Sequence, residues 1–110
     1  MNFDVEIKPY FKRQAKHLIK KYPSLKAEII ALIEALALDP EQGTSLGKGC
    51  FKIRIPITSK GKGKSGGARI ITHVQIIRLK VYLLTIYDKS ELGNLSEKEL
   101  REILKNIPSQ

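Results

Sequence analysis

Nine basic side chains, Lys48, Lys52, Arg54, Lys60, Lys62, Lys64, Arg69, Arg78 and Lys80, lie between Glu41 and Asp88 with no carboxylate among them. They account for the whole formal charge of +9, because the other eleven of the 20 Lys and Arg residues balance the 11 Asp and Glu. A field of one sign gathered in one stretch is directed at a polyanion. Arg54 and Arg69 offer planar donor forks that fit phosphate oxygens and keep their charge at any cellular pH. Crowding by other cations disfavours the charged form of a lysine, which would let Lys52 exchange protons as well as bind. His73 is the only histidine in the stretch and the conventional acid or base, although an outward histidine within a strand is often only a packed polar residue.

Other reactive types read plainly. His17 has no carboxylate three or four positions away to orient it and belongs to a helix surface. Cys50, the single cysteine, has no partner for an internal disulfide and reads as a small buried residue opening a strand. No group of Asp, Glu, His or Cys has metal-ligand spacing, so neither a metal nor another cofactor is expected. GKGKSGG lacks the spacing of a nucleotide-binding phosphate loop, and no helical pattern follows it.

Period-two alternation positions the cations. In Phe51 to Ile57 the odd residues are apolar, so Lys52 and Arg54 point away from the core, and Pro56 places that end of the strand near an edge or a bulge. Thr58 to Gly67 reads as a hairpin tip whose Lys60, Lys62 and Lys64 suit phosphate contact, as does Lys48 in the glycine-bearing connection from Glu41 to Gly49. A return strand from Arg69 to Ile77 puts Ile70, Val74 and Ile76 on the core face and Arg69 and His73 beside Lys52 and Arg54. Val81 to Tyr87 is a near-continuous apolar run, as in a central strand covered on both faces.

Around this platform, Phe3 to Ile7 alternates as a short strand, and Pro9 opens a helix that Pro23 stops. Ser24 is placed to cap a second helix reaching about Leu38, and Ser96 with Glu99 forms a capping box for a last helix carrying Leu100, Ile103, Leu104 and Ile107. The order is strand, helix, helix, three strands, helix, in one α+β domain spanning residues 1–110. No apolar run approaches the ~20 residues that span a bilayer, and Asp4 and Glu6 interrupt any leader pattern, so a cytoplasmic protein without a membrane partner is expected.

FKIRI, then GARIITHV, then VYLLTIYDKSE, preceded by two helices with YPSLK between them, resembles the RelE/ParE superfamily of type II toxins, close to its RelE- and HigB-like branch. The resemblance covers almost the whole chain, and KGKGKSGGAR is its most distinctive part. It implies a curved antiparallel sheet packed against helices, a toxin that cuts mRNA at the ribosome, and a cognate antitoxin. Alone, the toxin is expected as a monomer. By position, the basic pair of the ribosome-dependent nucleases falls on Lys52 and Arg54, the arginine opening the following strand on Arg69, and the basic residue after the last strand on Lys89, with Ser90 the alternative register. No aromatic residue follows Tyr87, so the C-terminal tyrosine of well-known members has no counterpart and the general base is not assigned.

Cutting RNA without a metal requires removal of the 2′-OH proton, stabilisation of a more negative transition state and protonation of the 5′-oxygen. Arginine forks suit the second task, and Lys52, Lys89 or His73 the proton transfers. Two other classes are open on this reading: a ParE-like toxin that inhibits DNA gyrase without cutting RNA, and a non-catalytic RNA-binding module. Phe51 on the core face and the absence of a paired aromatic platform weigh against the last.

Overall fold

The computed structural model describes residues 2–61, 66–92 and 95–108. Its elements are β1 (Asp4–Ile7), α1 (Pro9–Lys21), α2 (Leu25–Leu38), β2 (Thr44–Gly47), β3 (Cys50–Ile55), β4 (Ala68–Gln75), β5 (Lys80–Asp88) and α3 (Glu97–Leu104), with a 3-10 turn at Thr58–Lys60. The strands form one sheet in the order β1-β5-β4-β3-β2. The α+β class and the succession of helices and strands follow the sequence expectation, with two additions.

The first addition is β2, in the segment expected as a connection. All four of its residues are exposed, so no apolar alternation marks it. What makes it a strand is backbone pairing of Thr44 with Lys52 and Ser45 with Phe51. Gly43 turns the chain onto that edge at φ +89°, where a Cβ would lie 2.3 Å from the Lys52 carbonyl oxygen. Among the described residues no strand pairs with the outer edge of β3 beyond Lys52, which is where Pro56, lacking an N–H, is tolerated. The second addition is that β1 pairs with β5 in parallel, Val5 opposite Val81, whereas every other pairing is antiparallel. A parallel neighbour needs a long crossover, and the chain between the two strands supplies it.

β5 is an interior strand between β1 and β4, and Val81 to Tyr87 are all buried. A bulge makes both faces apolar in an irregular sequence. Ile71 lies opposite Thr85 but Thr72 lies opposite Leu83, so Leu84 is the extra residue. Val81, Leu83 and Ile86 therefore join the core under α1 and α2, while Tyr82, Leu84 and Tyr87 join a second cluster under α3. The larger core includes Phe11, Leu18, Leu25, Leu36, Ile53 and Ile70, each contributing about 1.5–3 kcal/mol by burial. In contrast, α3 buries none of its residues fully and covers Cys50, Ile71, Tyr82, Leu84 and Tyr87 with half-buried Leu100, Ile103 and Leu104. Its capping box at Ser96 and Glu99 forms as expected.

Ser24 does not cap α2 with its side chain. Its hydroxyl instead accepts from the Ser59 backbone N–H at 2.9 Å and bonds the Ser59 hydroxyl, while Thr58 bonds Glu28 through its own hydroxyl. The start of the tip is thereby tied to α2. None of the described helices is long and apolar enough to cross a membrane.

Candidate nucleic-acid interface

Strand pairing brings three of the expected cations together. Arg54 of β3 lies directly opposite Arg69 of β4, and Lys52 lies two residues along β3 on the same face. Directly opposed residues hold their Cβ atoms roughly 4.5–5.5 Å apart, and like charges so placed repel. Arg69 in turn lies opposite Tyr87 of β5. The row Arg54, Arg69, Tyr87 thus crosses three strands on the α3 side of the sheet.

The row is graded in exposure. Arg54 is exposed and Lys52 half-buried. Arg69, expected on the open face, is only 3 % exposed and is corrected to a buried residue. It was misplaced because alternation identifies the face and not what covers that face. Its guanidinium donates to the Ala68 carbonyl at 3.2 Å. Burial first, then the Arg54 charge, pushes its pKa below the ordinary value, against a smaller opposite effect of Tyr87. Guanidinium groups remain protonated even so. Two arginines at paired positions, one exposed and one buried, are an arrangement that can take an anion between them.

Tyr87 escaped sequence reasoning because it reads as one more apolar residue of a central strand. Its hydroxyl is buried and meets no hydrogen-bond geometry, although the Leu95 backbone is near enough to act on it. Burial pushes its pKa up, while Arg69 and the Leu95 backbone draw it partly down. At neutral pH it therefore keeps its proton, as a donor rather than a base.

Other candidates lie elsewhere. His73 is opposite Cys50 and Tyr82, four residues along β4 from Arg69, or roughly 13 Å at strand rise. Its Nδ1 is 3.6 Å from the Cys50 sulfur, its Nε2 is 3.3 Å from Gln75 Nε2, and its ring stacks on Tyr82. Burial lowers its pKa, against a hydrogen bond that the ring donates to the Lys48 backbone. The packed reading describes this histidine, and the basic row does not include it. Burial also pushes the Cys50 thiol up to about 11, so it is not a nucleophile at neutral pH. Lys48 is exposed in the β2–β3 turn at φ 55°, at the opposite end of β3 from Arg54.

Lys60 is not the free phosphate contact expected from its glycine-rich surroundings. Its side chain is 12 % exposed and its ammonium lies 2.8 Å from Asp88 Oδ1, whose side chain is 0 % exposed. The same ammonium donates to the Gly66 carbonyl at 3.1 Å and to Ser90 Oγ at 3.0 Å. Tyr22 donates its hydroxyl to Asp88 Oδ2 at 3.2 Å. Burial pushes the Asp88 carboxyl up, but Lys60 and Ser90 together outweigh it and hold the pKa at about 2. Lys62 and Lys64 lie outside the described residues. Lys89 follows β5 directly and its N–H donates to the Gly67 carbonyl at 3.0 Å.

A cleft of about 590 Å³ runs along the uncovered edge of β3, lined by Glu28, Gln42, Thr44, Lys52, Arg54 and Pro56. It shares the β3 cations with the row but not Arg69, so a chain lying in it would reach the row from the side. Among the described residues no group of three or more His, Cys, Asp and Glu could hold a metal ion.

No protein-family model matches the chain. Among solved structures it is similar to a doubly substituted form of the E. coli toxin RelE in the free state, with TM-score 0.62 and 14 % identity over 98 % of this chain and 100 % of that one. The same variant in complex with an antitoxin RelBc peptide gives TM-score 0.51 and 15 % identity, covering 98 % of this chain and 100 % of that one. Isolated E. coli RelE gives TM-score 0.50 and 16 % identity over 96 % and 99 %. At this identity the likeness is one of architecture: the chain has the fold of the RelE toxins.

Proposed function

We propose that this chain is the toxin of a type II toxin-antitoxin system and a ribosome-dependent endoribonuclease that cuts mRNA and so inhibits translation. The observation that carries the reading is the row of Lys52, Arg54 and Arg69 on one face of a RelE-type sheet. In this reading the 2′-OH of the mRNA attacks the adjacent phosphorus, the 5′-oxygen of the next nucleotide leaves with a proton, and a 2′,3′-cyclic phosphate remains. Arg54 and Arg69 bind the non-bridging oxygens as their charge grows. Lys52 and Lys89 serve the proton transfers, and Tyr87 packs against the Arg69 pairing position. These steps use side-chain protons alone and call for no metal or other cofactor.

A cognate antitoxin is the natural partner, because a peptide of one binds the RelE variant of the same fold. A helix as lightly buried as α3, over an apolar cluster, suits exchange for an amphipathic acidic segment. Mapping mRNA ends in cells expressing the chain tests the function. Cuts confined to translated reading frames are expected. Intact mRNA with accumulated gyrase–DNA breaks would assign the ParE-like activity instead, and intact mRNA with neither effect would leave RNA binding alone.

A further inference from the structure

The Lys60–Asp88 pair lies on the opposite side of the sheet from the basic row. Asp88 pairs with Ala68 of the large core, next along β5 from Tyr87, and is approached by Tyr22 from the α1–α2 turn. It cannot touch RNA bound at Arg54 and Arg69. Its contacts nevertheless reach the end of β5 and the leg that leads into β4, beside Tyr87 and Arg69 of the row. Lys60 belongs to the outgoing leg of the tip, and its ammonium binds Gly66 on the returning leg and both Asp88 and Ser90 at the end of β5. Asp88 Oδ1 also accepts from the Ser90 N–H at 3.0 Å and hydroxyl at 2.8 Å, and the Asp88 carbonyl accepts from the Glu91 and Leu92 N–H groups. The returning leg is seated closely as well, since a Cβ on Gly67 would lie 2.1 Å from the Ile55 carbonyl oxygen.

We infer that Lys60 and Asp88 are positioning residues for the proposed cleavage: together they lock both legs of the tip to the end of β5 and so set the place of Lys89 relative to Arg54 and Arg69. The inference rests on the nuclease reading for its catalytic consequence but not for its geometry. One ammonium ties its own leg to two other segments, Gly66 and the end of β5, so none of the three shifts alone, and displacement of a catalytic group by about 1 Å can cost ~10²-fold in rate. Lys60 is thereby removed from the set of phosphate contacts.

The test uses the double variant Lys60→Met with Asp88→Asn, in which neither charge is left buried alone, and Lys60→Arg as the conservative variant. Single-turnover cleavage of mRNA on programmed ribosomes is measured per folded molecule, alongside ribosome affinity at several salt concentrations and amide exchange at Lys89 and Ser90. The double variant is expected to cleave at least about tenfold more slowly at saturating ribosome, with unchanged affinity and faster exchange at both amides, and Lys60→Arg to recover much of the rate. A parent-like rate overturns the inference. So does weakened affinity with a salt slope reduced by about one at an intact rate, which would restore Lys60 as a phosphate contact. If the parent itself does not cleave, the nuclease reading fails and the lock is judged on exchange alone: faster exchange in the double variant upholds it, and unchanged exchange refutes it.

Discussion

Arg69→Ala is expected to lower single-turnover mRNA cleavage by about 10²–10³, the loss typical of one preorganised donor at a developing oxyanion. Two observations set the size. Arg69 is buried, so its bond to an anion is stronger than one made in water, and strand register places it opposite Arg54. The loss is expected in the rate at saturating ribosome more than in affinity, because a donor held in place before the reaction binds the anion most strongly as its negative charge grows. Stability should fall by about 1–3 kcal/mol, since truncating a buried arginine removes its packing as well as its charge. Arg69→Lys keeps the charge and loses the fork, and should recover only part of the rate. Cleavage by a folded Arg69→Ala protein within about threefold of the parent would remove Arg69 from the site.

Lys60→Met is expected to destabilise the fold by about 3–5 kcal/mol, because it leaves the Asp88 carboxylate buried without its cation. The acid limb of the stability curve gives a second, independent readout. In the parent the Asp88 pKa is depressed from 3.8 to about 2 by Lys60 and Ser90 against burial. A depressed carboxylate contributes stability that is present above the unfolded pKa of 3.8 and is lost as pH falls through about 2. At 1.36 kcal/mol per unit that is roughly 2.5 kcal/mol. Without Lys60 the depression is smaller, because only the Ser90 and Tyr22 donors oppose burial. The variant then loses less stability on acidification than the parent, so its deficit narrows between about pH 4 and pH 2. Urea unfolding at several pH values measures this. Parallel acid limbs for parent and variant would show that the pair does not govern Asp88.

The elements with strict periodicity were legible from residues alone. Odd-numbered isoleucines in β3, the apolar run of β5, Pro9 opening α1 and the Ser96–Glu99 box all state their own structure. The exposed strand β2 was not legible, because its partner's backbone defines it and its side chains carry no pattern. The bulge at Leu84 was hidden for a related reason: in a strand apolar on both sides, one extra residue changes no letter of the pattern. The basic row was legible as a face but not in depth. Alternation put Arg54 and Arg69 together, yet only the packing of the α3 face shows that one is exposed and the other buried. Lys60 was misread because glycines around it suggested freedom, whereas its partner Asp88 is 28 positions away and chemically unremarkable in sequence. Tyr87 was unreadable until strand register set it opposite Arg69.

The most direct test adds purified protein to ribosomes programmed with a defined mRNA and identifies both new termini. Cleavage only in the presence of ribosomes is predicted, with a 2′,3′-cyclic phosphate on one fragment and a 5′-hydroxyl on the other, and a 2′-deoxy substitution at the cut nucleotide should abolish it. Intact mRNA under these conditions, or cutting that survives the 2′-deoxy substitution and leaves a 5′-phosphate, would contradict it.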